Sequence, residues 1–114
     1  MELQIKMLLA DDEGHGFFGH GRWRLLVEVG KCGSLQEAAG NLGMSYRKAW
    51  GDIKAVEERL GFAVLQRQRG GRGGGASRLT ERGEKLLDVY VRIQSDIERQ
   101  ANKQFRARMK EMLG

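Results

Sequence analysis

The sequence predicts a mostly α-helical protein, a winged helix-turn-helix with a small β-hairpin wing and a long C-terminal dimerisation helix. Three observations predict this fold class. Two amphipathic helical segments are joined by a short glycine turn. A glycine-rich tract then separates two short runs with strand character. The last segment repeats apolar residues at spacings of three or four, which indicates one long helix.

The length of the chain and the distribution of its charge limit the possible domain organisation and the type of partner. The 114 residues suffice for one core, so we expect a single domain over residues 1–114. The net charge is +5, and the excess is local. Residues 42–82 hold nine Lys and Arg against four Asp and Glu, whereas the rest of the chain is balanced. This segment therefore favours a polyanionic partner, although a solubilising surface would also explain its charge.

Several classes of protein are disfavoured. Cys32 is the single cysteine, so an internal disulfide or a cysteine-based metal site cannot form. The first residues do not resemble a signal peptide, and no apolar run approaches the roughly 20 residues that span a bilayer. His15 and His20 lack a regular ligand spacing, so we expect no metal and no cofactor. No catalytic arrangement is evident, and we expect a cytoplasmic protein that is not an enzyme and has no membrane partner.

The chain begins with a predicted strand over residues 2–10, where apolar and polar residues alternate. Residues 11–21 are punctuated by glycine and predict a loop. A first helix is predicted from about residue 19 to residue 32. These elements precede the segment that carries most of the positive charge.

The helix-turn-helix follows. Ser34 and Glu37 form a capping-box pattern that begins a short helix over residues 34–43. Ser45 is the expected N-cap of the next helix, which ends before Gly61. Since its N-terminal end is basic, we interpret residues 45–60 as a recognition helix.

The two faces of the recognition helix differ in chemistry. At about 100° per residue, Trp50 lies in the apolar stripe and is expected in the core. The opposite face carries Arg47, Lys48, Gly51 and Lys54. A glycine inside a helix costs about 1 kcal/mol relative to alanine, so Gly51 requires a reason. Close approach to a DNA groove would supply one, and close packing against another helix would supply an alternative.

The tract "RGGRGGG" predicts the tip of a wing. A linker needs a second domain after it, a Walker loop needs a following Lys-Ser/Thr, and disordered RGG tracts repeat. We therefore expect a wing over about residues 62–80, with strands in 62–68 and 76–80. Arg69 and Arg72 can then reach the DNA backbone or the minor groove. The alternative is a solvated tip whose arginines only maintain solubility.

The final helix is predicted over about residues 80–112. It would be about 50 Å long, whereas a compact domain of this size has a radius of gyration of about 13 Å. The helix would overhang its own domain, and a second copy could cover its exposed apolar residues. A homodimer of this kind would address half-sites about 34 Å apart. The predicted dimerisation residues are Leu86, Tyr90, Ile93, Ile97 and Phe105.

Two stretches carry a family resemblance. "GSLQEAAGNLGMSYRKAWGDIKAVEERLG" and "GGRGGGASRLTERGEKLLDVY" resemble the N-terminal DNA-binding domain of the ModE family of molybdate-responsive repressors. They resemble the winged helix of LysR-type regulators more loosely. The resemblance implies a homodimer that binds operator DNA and regulates transcription. ModE proteins also carry C-terminal molybdate-binding modules that these 114 residues do not include. We therefore expect a stand-alone regulator, a different signal, or a separate effector or sensor protein.

The sequence therefore favours a sequence-specific, double-stranded DNA-binding transcriptional regulator. The alternatives are an architectural protein that binds DNA without sequence preference and a winged-helix module that binds another protein. The predicted DNA-binding residues are Ser34, Ser45, Tyr46, Arg47, Lys48, Gly51, Lys54, Arg67, Arg69, Arg72 and Arg78.

Overall fold

The computed structural model describes residues 1–67 and 76–114, and within them the chain forms four helices and two small sheets. The helices are α1 (His20–Cys32), α2 (Leu35–Asn41), α3 (Tyr46–Leu60) and α4 (Glu81–Leu113). Strands β1 (Leu9–Ala10) and β2 (Gly16–Phe18) pair antiparallel, as do β3 (Leu65–Arg67) and β4 (Ser77–Leu79). The predicted fold class, mostly helical with a hairpin and a long last helix, is confirmed.

Local capping bonds fix where the helices begin. The hydroxyls of Ser34, Ser45 and Thr80 each accept a hydrogen bond from the backbone N–H three residues later. Helices α1 and α3 end at Gly33 and Gly61, whose φ angles of 73° and 78° lie in the left-handed region. Because these signals are local, the four predicted helices agree with the observed bounds within a few residues.

The core lies where α1, α2 and α3 meet the first hairpin. Phe17 and Phe18 are buried there, so the segment predicted to be a loop contains β2 and contributes to the core. Trp50 is half-buried and packs against the edge of the core rather than inside it. The fully buried large side chains are Phe18, Leu25, Leu26, Val29, Val56 and Val64.

A close crossing joins the second hairpin to α4. The Thr80 N–H donates to the Val64 carbonyl at 2.9 Å, and the Thr80 hydroxyl donates to the Ala63 carbonyl at 2.7 Å. Gly83, in the first turn of α4, lies so close to Val64 that a Cβ atom would collide with the Val64 carbonyl. The absence of a side chain at Gly83 therefore allows α4 to pack directly on the base of the hairpin.

The prediction of a strand over residues 2–10 was wrong for most of its length. Only Leu9 and Ala10 pair with another strand. The preceding residues lie along α4, and side chains of the helix hydrogen-bond to their backbone. Asn102 accepts from the Leu3 N–H at 2.6 Å and donates to the Leu3 carbonyl at 3.0 Å. One amide side chain thus satisfies both backbone groups of Leu3.

The same arrangement repeats one helical turn away. The Gln94 amide donates to the Ile5 carbonyl at 3.1 Å, and the Glu98 carboxylate accepts from the Ile5 N–H at 3.2 Å. Two residues of extended chain span about 6.6 Å and four residues of helix about 6 Å, so the two spacings match. The alternation of apolar and polar residues in this N-terminal segment therefore reflects packing against a helix and not pairing in a sheet.

The prediction that Tyr90 lies on the exposed face of the last helix was wrong. It is only 5% exposed, and its ring packs edge-on against Phe18 at a centroid distance of 5.2 Å. Its hydroxyl donates to the Met7 carbonyl at 3.0 Å, and burial raises the pKa of Tyr90. Tyr90 therefore belongs to the core of its own protomer, because Phe18 and the N-terminal segment cover it.

The hydrogen bonds between Asn102 and Leu3 lead to a testable prediction about stability. We expect Asn102→Ala to lower the free energy of unfolding by about 1–2 kcal/mol, since two hydrogen bonds of a buried amide are lost. The exposed neighbour Lys103 is the control, and Lys103→Ala should change stability by less than about 0.5 kcal/mol. Urea unfolding of the three proteins measures the difference. Equal stabilities would contradict a structural role for Asn102.

Candidate nucleic-acid interface

The outward face of α3 is basic and unobstructed. Tyr46, Arg47 and Lys48 are exposed in the first turn of the helix, and Lys54 is exposed two turns further on. Gly51 lies between them on the face opposite the buried stripe. A Cβ atom built at Gly51 would meet no described atom within 4 Å. Close packing against another helix of this protomer therefore does not explain Gly51, and the face remains open for an external partner.

Trp50 connects this face to the second hairpin. The Lys54 ammonium and the Arg67 guanidinium each lie 4.3 Å from the centre of the Trp50 ring. Such cation–π contacts stabilise by about 0.5–1 kcal/mol at exposed sites. They hold Arg67, at the end of β3, beside the recognition helix. Sequence analysis placed Trp50 in the core and missed this contact, because the stripe pattern does not show what a residue at its edge will meet.

The second hairpin has the position and pairing of a wing. Leu65, Gln66 and Arg67 pair with Leu79, Arg78 and Ser77 respectively, so the observed strands are shorter than the predicted ones. Arg67 and Arg78 are both exposed. The Ser77 N–H donates to the Gly33 carbonyl at 2.9 Å, which ties the hairpin to the end of α1. Arg69 and Arg72, predicted at the tip, lie outside the described residues.

The two serines of the predicted site serve as helix caps. The Ser45 hydroxyl accepts from the Lys48 N–H at 3.1 Å, at the exposed start of α3. The Ser34 hydroxyl accepts from the Glu37 N–H at 3.2 Å and is partly buried between α1 and α2. Each hydroxyl therefore has a structural partner, and Ser45 lies directly beside the basic residues of α3.

A charged group at the junction of α1 and α3 was not anticipated. The two carboxylate oxygens of Asp52 accept hydrogen bonds from Lys48 at 2.9 Å and from Arg22 at 3.2 Å. A second nitrogen of Arg22 donates to the Phe17 carbonyl at 2.7 Å. Arg22 and Asp52 are 30 residues apart. The sequence offers no local signal for such a contact, which depends on how the two helices pack.

The acidic loop before α1 is organised by its own carboxylate. Asp11 accepts backbone hydrogen bonds from His15 at 2.9 Å and Glu13 at 3.0 Å, and it forms an ion pair with Arg59. The backbone bond from His15 is the largest of the effects that lower the pKa of Asp11. The loop thus ties the first hairpin to the end of α3. Among residues 1–67 and 76–114, no cluster of ligand-type side chains could hold a metal ion.

No helix in the described part of the chain combines the length and hydropathy that a membrane span requires.

Comparison with known proteins agrees with this geometry. The family model for bacterial regulatory helix-turn-helix proteins of the LysR family matches residues 21–84, which include α1 except its first residue, α2, α3 and the second hairpin. The transcriptional regulator ModE of Haemophilus influenzae is 41% identical over 69 residues, which are 60% of this chain and 27% of that protein. The resemblance that the sequence motifs indicated is confirmed.

Other relatives show the same limited coverage. The molybdenum-pterin-binding protein MopB of Rhodobacter capsulatus is 37% identical over 79 residues, 69% of this chain and 29% of that protein. The dual regulator ModE of Escherichia coli is 33% identical over 60% of this chain and 26% of that protein. The chain thus spans little more than a quarter of the length of these curated relatives.

Solved structures support the fold. The DNA-binding domain of CbnR in complex with DNA superposes with a TM-score of 0.58 at 24% identity, covering 76% of this chain and 94% of that chain. The corresponding domain of BenM with benA site 1 DNA gives a TM-score of 0.54 at 23% identity, covering 76% and 92%. At this level of identity the likeness is one of fold.

Two of the helical glycines, Gly51 and Gly83, allow a matched test of this geometry. Gly51→Ala should raise the free energy of unfolding by about 0.5–1 kcal/mol, since alanine favours the helix and its methyl group meets open space. Gly83→Ala should be strongly destabilising, because its methyl group collides with the Val64 backbone. Thermal and urea unfolding measure both variants. A destabilised Gly51→Ala protein would show that the face of α3 is not open.

Proposed function

The chain belongs to the LysR family of bacterial regulatory helix-turn-helix proteins, and we propose that it is a homodimeric, sequence-specific regulator of transcription. This family consists of DNA-binding regulators and is not an enzyme family. Double-stranded DNA is the proposed partner, and the function requires a cytoplasmic location, where the bacterial chromosome lies. Sequence specificity, the dimer and the individual contacts are the parts that experiment must test.

The open face of α3 is the observation that carries the proposal. An α-helix fits the major groove, and its approach is closest where side chains are small. Gly51 provides such a position, with exposed cations on both sides of it. We propose that Arg47 contacts base edges, since arginine bound through two hydrogen bonds to guanine is the commonest specific contact. Ser45, Tyr46 and Lys54 would contact neighbouring phosphates or bases.

The second hairpin supports a wing that follows the DNA backbone. Arg67 is held on Trp50 beside α3, so a cation at this end of the hairpin is close to the proposed recognition surface. We propose that Arg67, Arg69 and Arg72 contact phosphates or the minor groove. Arg78 and Ser34 are proposed as weaker contacts at the margin of the interface.

Helix α4 supports the proposed homodimer. Its 33 residues extend about 50 Å, and the radius of gyration of 17.4 Å exceeds the roughly 13 Å of a compact domain of this size. Val89, Ile93 and Ile97 are each more than 40% exposed on this helix. We propose that α4 of a second copy covers them, with the half-buried Leu86 and Phe105 at the edges of the contact.

An effector is proposed to act outside the residues described here. The names of several relatives refer to molybdenum, but each match covers little more than a quarter of the relative. We therefore propose that any signal reaches this chain through a separate effector or sensor protein.

The proposed DNA contacts lead to the first functional prediction. We expect the wild-type protein to bind a mixed-sequence duplex, with an affinity that falls steeply as salt increases. On a duplex of arbitrary sequence Arg47 would meet phosphates rather than a guanine edge, so Arg47→Ala should weaken binding and lower the log–log salt slope by about 0.9, the contribution of one cation. Fluorescence anisotropy across a salt series measures both quantities.

Arg99→Ala is the control, because it removes the same charge from an exposed position on α4. Its affinity should equal that of the wild type. Binding lost equally in both variants would indicate a response to net charge alone. No binding by the wild type at the lowest salt would exclude a DNA-binding function.

The proposed dimer leads to a second functional prediction. Ile97→Glu should shift the protein toward monomer, because it places a charge in the proposed apolar contact. Ser95 lies about 160° around the helix, so Ser95→Glu adds the same charge on another face and should leave the dimer intact. Sedimentation velocity over a range of concentrations measures the distribution. A wild-type protein that stays monomeric at all concentrations would contradict this part of the proposal.

A further inference from the structure

Asp52 is the carboxylate at the edge of the basic face of α3. It is the only acidic residue between Ser45 and Val56, and its side chain is 15% exposed. One oxygen binds the Lys48 ammonium at 2.9 Å, and the other binds the Arg22 guanidinium at 3.2 Å. A negative charge in a surface that is proposed to meet phosphates is unfavourable for binding, so its presence there calls for an explanation.

The two cations bound by Asp52 differ in how firmly they are held. Arg22 is 30% exposed and also donates to the Phe17 carbonyl, so it is held from two sides. Lys48 is 65% exposed, and Asp52 is its one ion-pair partner among the described residues. Arg47, adjacent to Lys48 in sequence, forms no ion pair within the described part of the chain. Asp52 therefore restrains one of two neighbouring cations and leaves the other available.

This restraint affects phosphate binding more than base recognition. To reach a phosphate, Lys48 must leave Asp52, and the carboxylate then faces the negative backbone. A guanine edge can offer two acceptors to a cation placed in the groove, which an arbitrary sequence does not offer at the same position. A contact of this kind can compensate for the loss of the ion pair only where the sequence is correct.

We propose that Asp52 is a positioning residue that withholds Lys48 from the phosphate backbone and thereby weakens binding to DNA of arbitrary sequence. The inference rests on the proposed DNA-binding function and adds a determinant of specificity to it. Specificity is a difference between two affinities, so weakening the wrong complex increases it as effectively as strengthening the right one. The simpler role for Asp52, a structural tie between α1 and α3, would affect folding but not the salt dependence of DNA binding.

The test is a double-mutant cycle on a mixed-sequence duplex, with wild type, Asp52→Asn, Lys48→Met and the double variant compared across a salt series. We expect Asp52→Asn to bind about two- to tenfold more tightly, with a salt slope steeper by about 0.9, because Lys48 gains a phosphate contact. In the Lys48→Met background, the same substitution should give less than half of that gain on a logarithmic scale.

A second comparison does not depend on the folding of the Asp52 variant. With Asp52 intact, Lys48→Met should weaken binding to the mixed-sequence duplex less than Arg47→Met does, since Lys48 is already withheld. Circular dichroism and thermal unfolding confirm that each variant is folded.

The outcomes separate the two proposals. If the wild type binds with an affinity that falls as salt increases, but Asp52→Asn binds no more tightly, the role of Asp52 is overturned. The proposed DNA-binding function is then unaffected. An equal gain with and without Lys48 would also overturn it, because removal of a negative charge would then suffice. If neither wild type nor Asp52→Asn binds at the lowest salt, the DNA-binding function and the inference both fail.

Discussion

The close crossing of α4 over Val64 is the contact on which the arrangement of this molecule depends. It requires Gly83, because any side chain there would collide with the Val64 carbonyl. The Thr80 bonds to Ala63 and Val64 hold the same point. One short segment thus fixes the end of the second hairpin and the direction in which the long helix leaves the core.

The functional surfaces follow from that crossing. Because β3 follows directly from Val64, Arg67 at its far end reaches Trp50 on α3, and the wing is held beside the recognition helix. Because α4 begins at the same crossing, it extends beyond the core and exposes Ile93 and Ile97. The basic face proposed to bind DNA and the apolar face proposed to bind a second copy therefore lie at two ends of one connection.

The parts of the fold that the sequence predicts are those that depend on neighbouring residues. Helix bounds follow from capping bonds three residues apart, as at Ser34 and Ser45. The parts that the sequence does not predict depend on residues that are far apart in the chain. Leu3 and Asn102 are 99 residues apart, and no local pattern distinguishes a strand from a segment bound along a helix. The charges of α3 were predicted from the sequence, but the bond to Asp52 from Arg22, which lies 30 residues away on α1, was not.

The central claim is that two copies of this chain read one DNA sequence through α3. Repeated selection of bound duplexes from a randomised pool tests it most directly. We expect an enriched inverted repeat whose half-sites are centred about 34 Å, or one turn of the DNA, apart. A pool that binds but remains random after repeated selection would contradict it and would indicate a protein that binds DNA without reading its sequence.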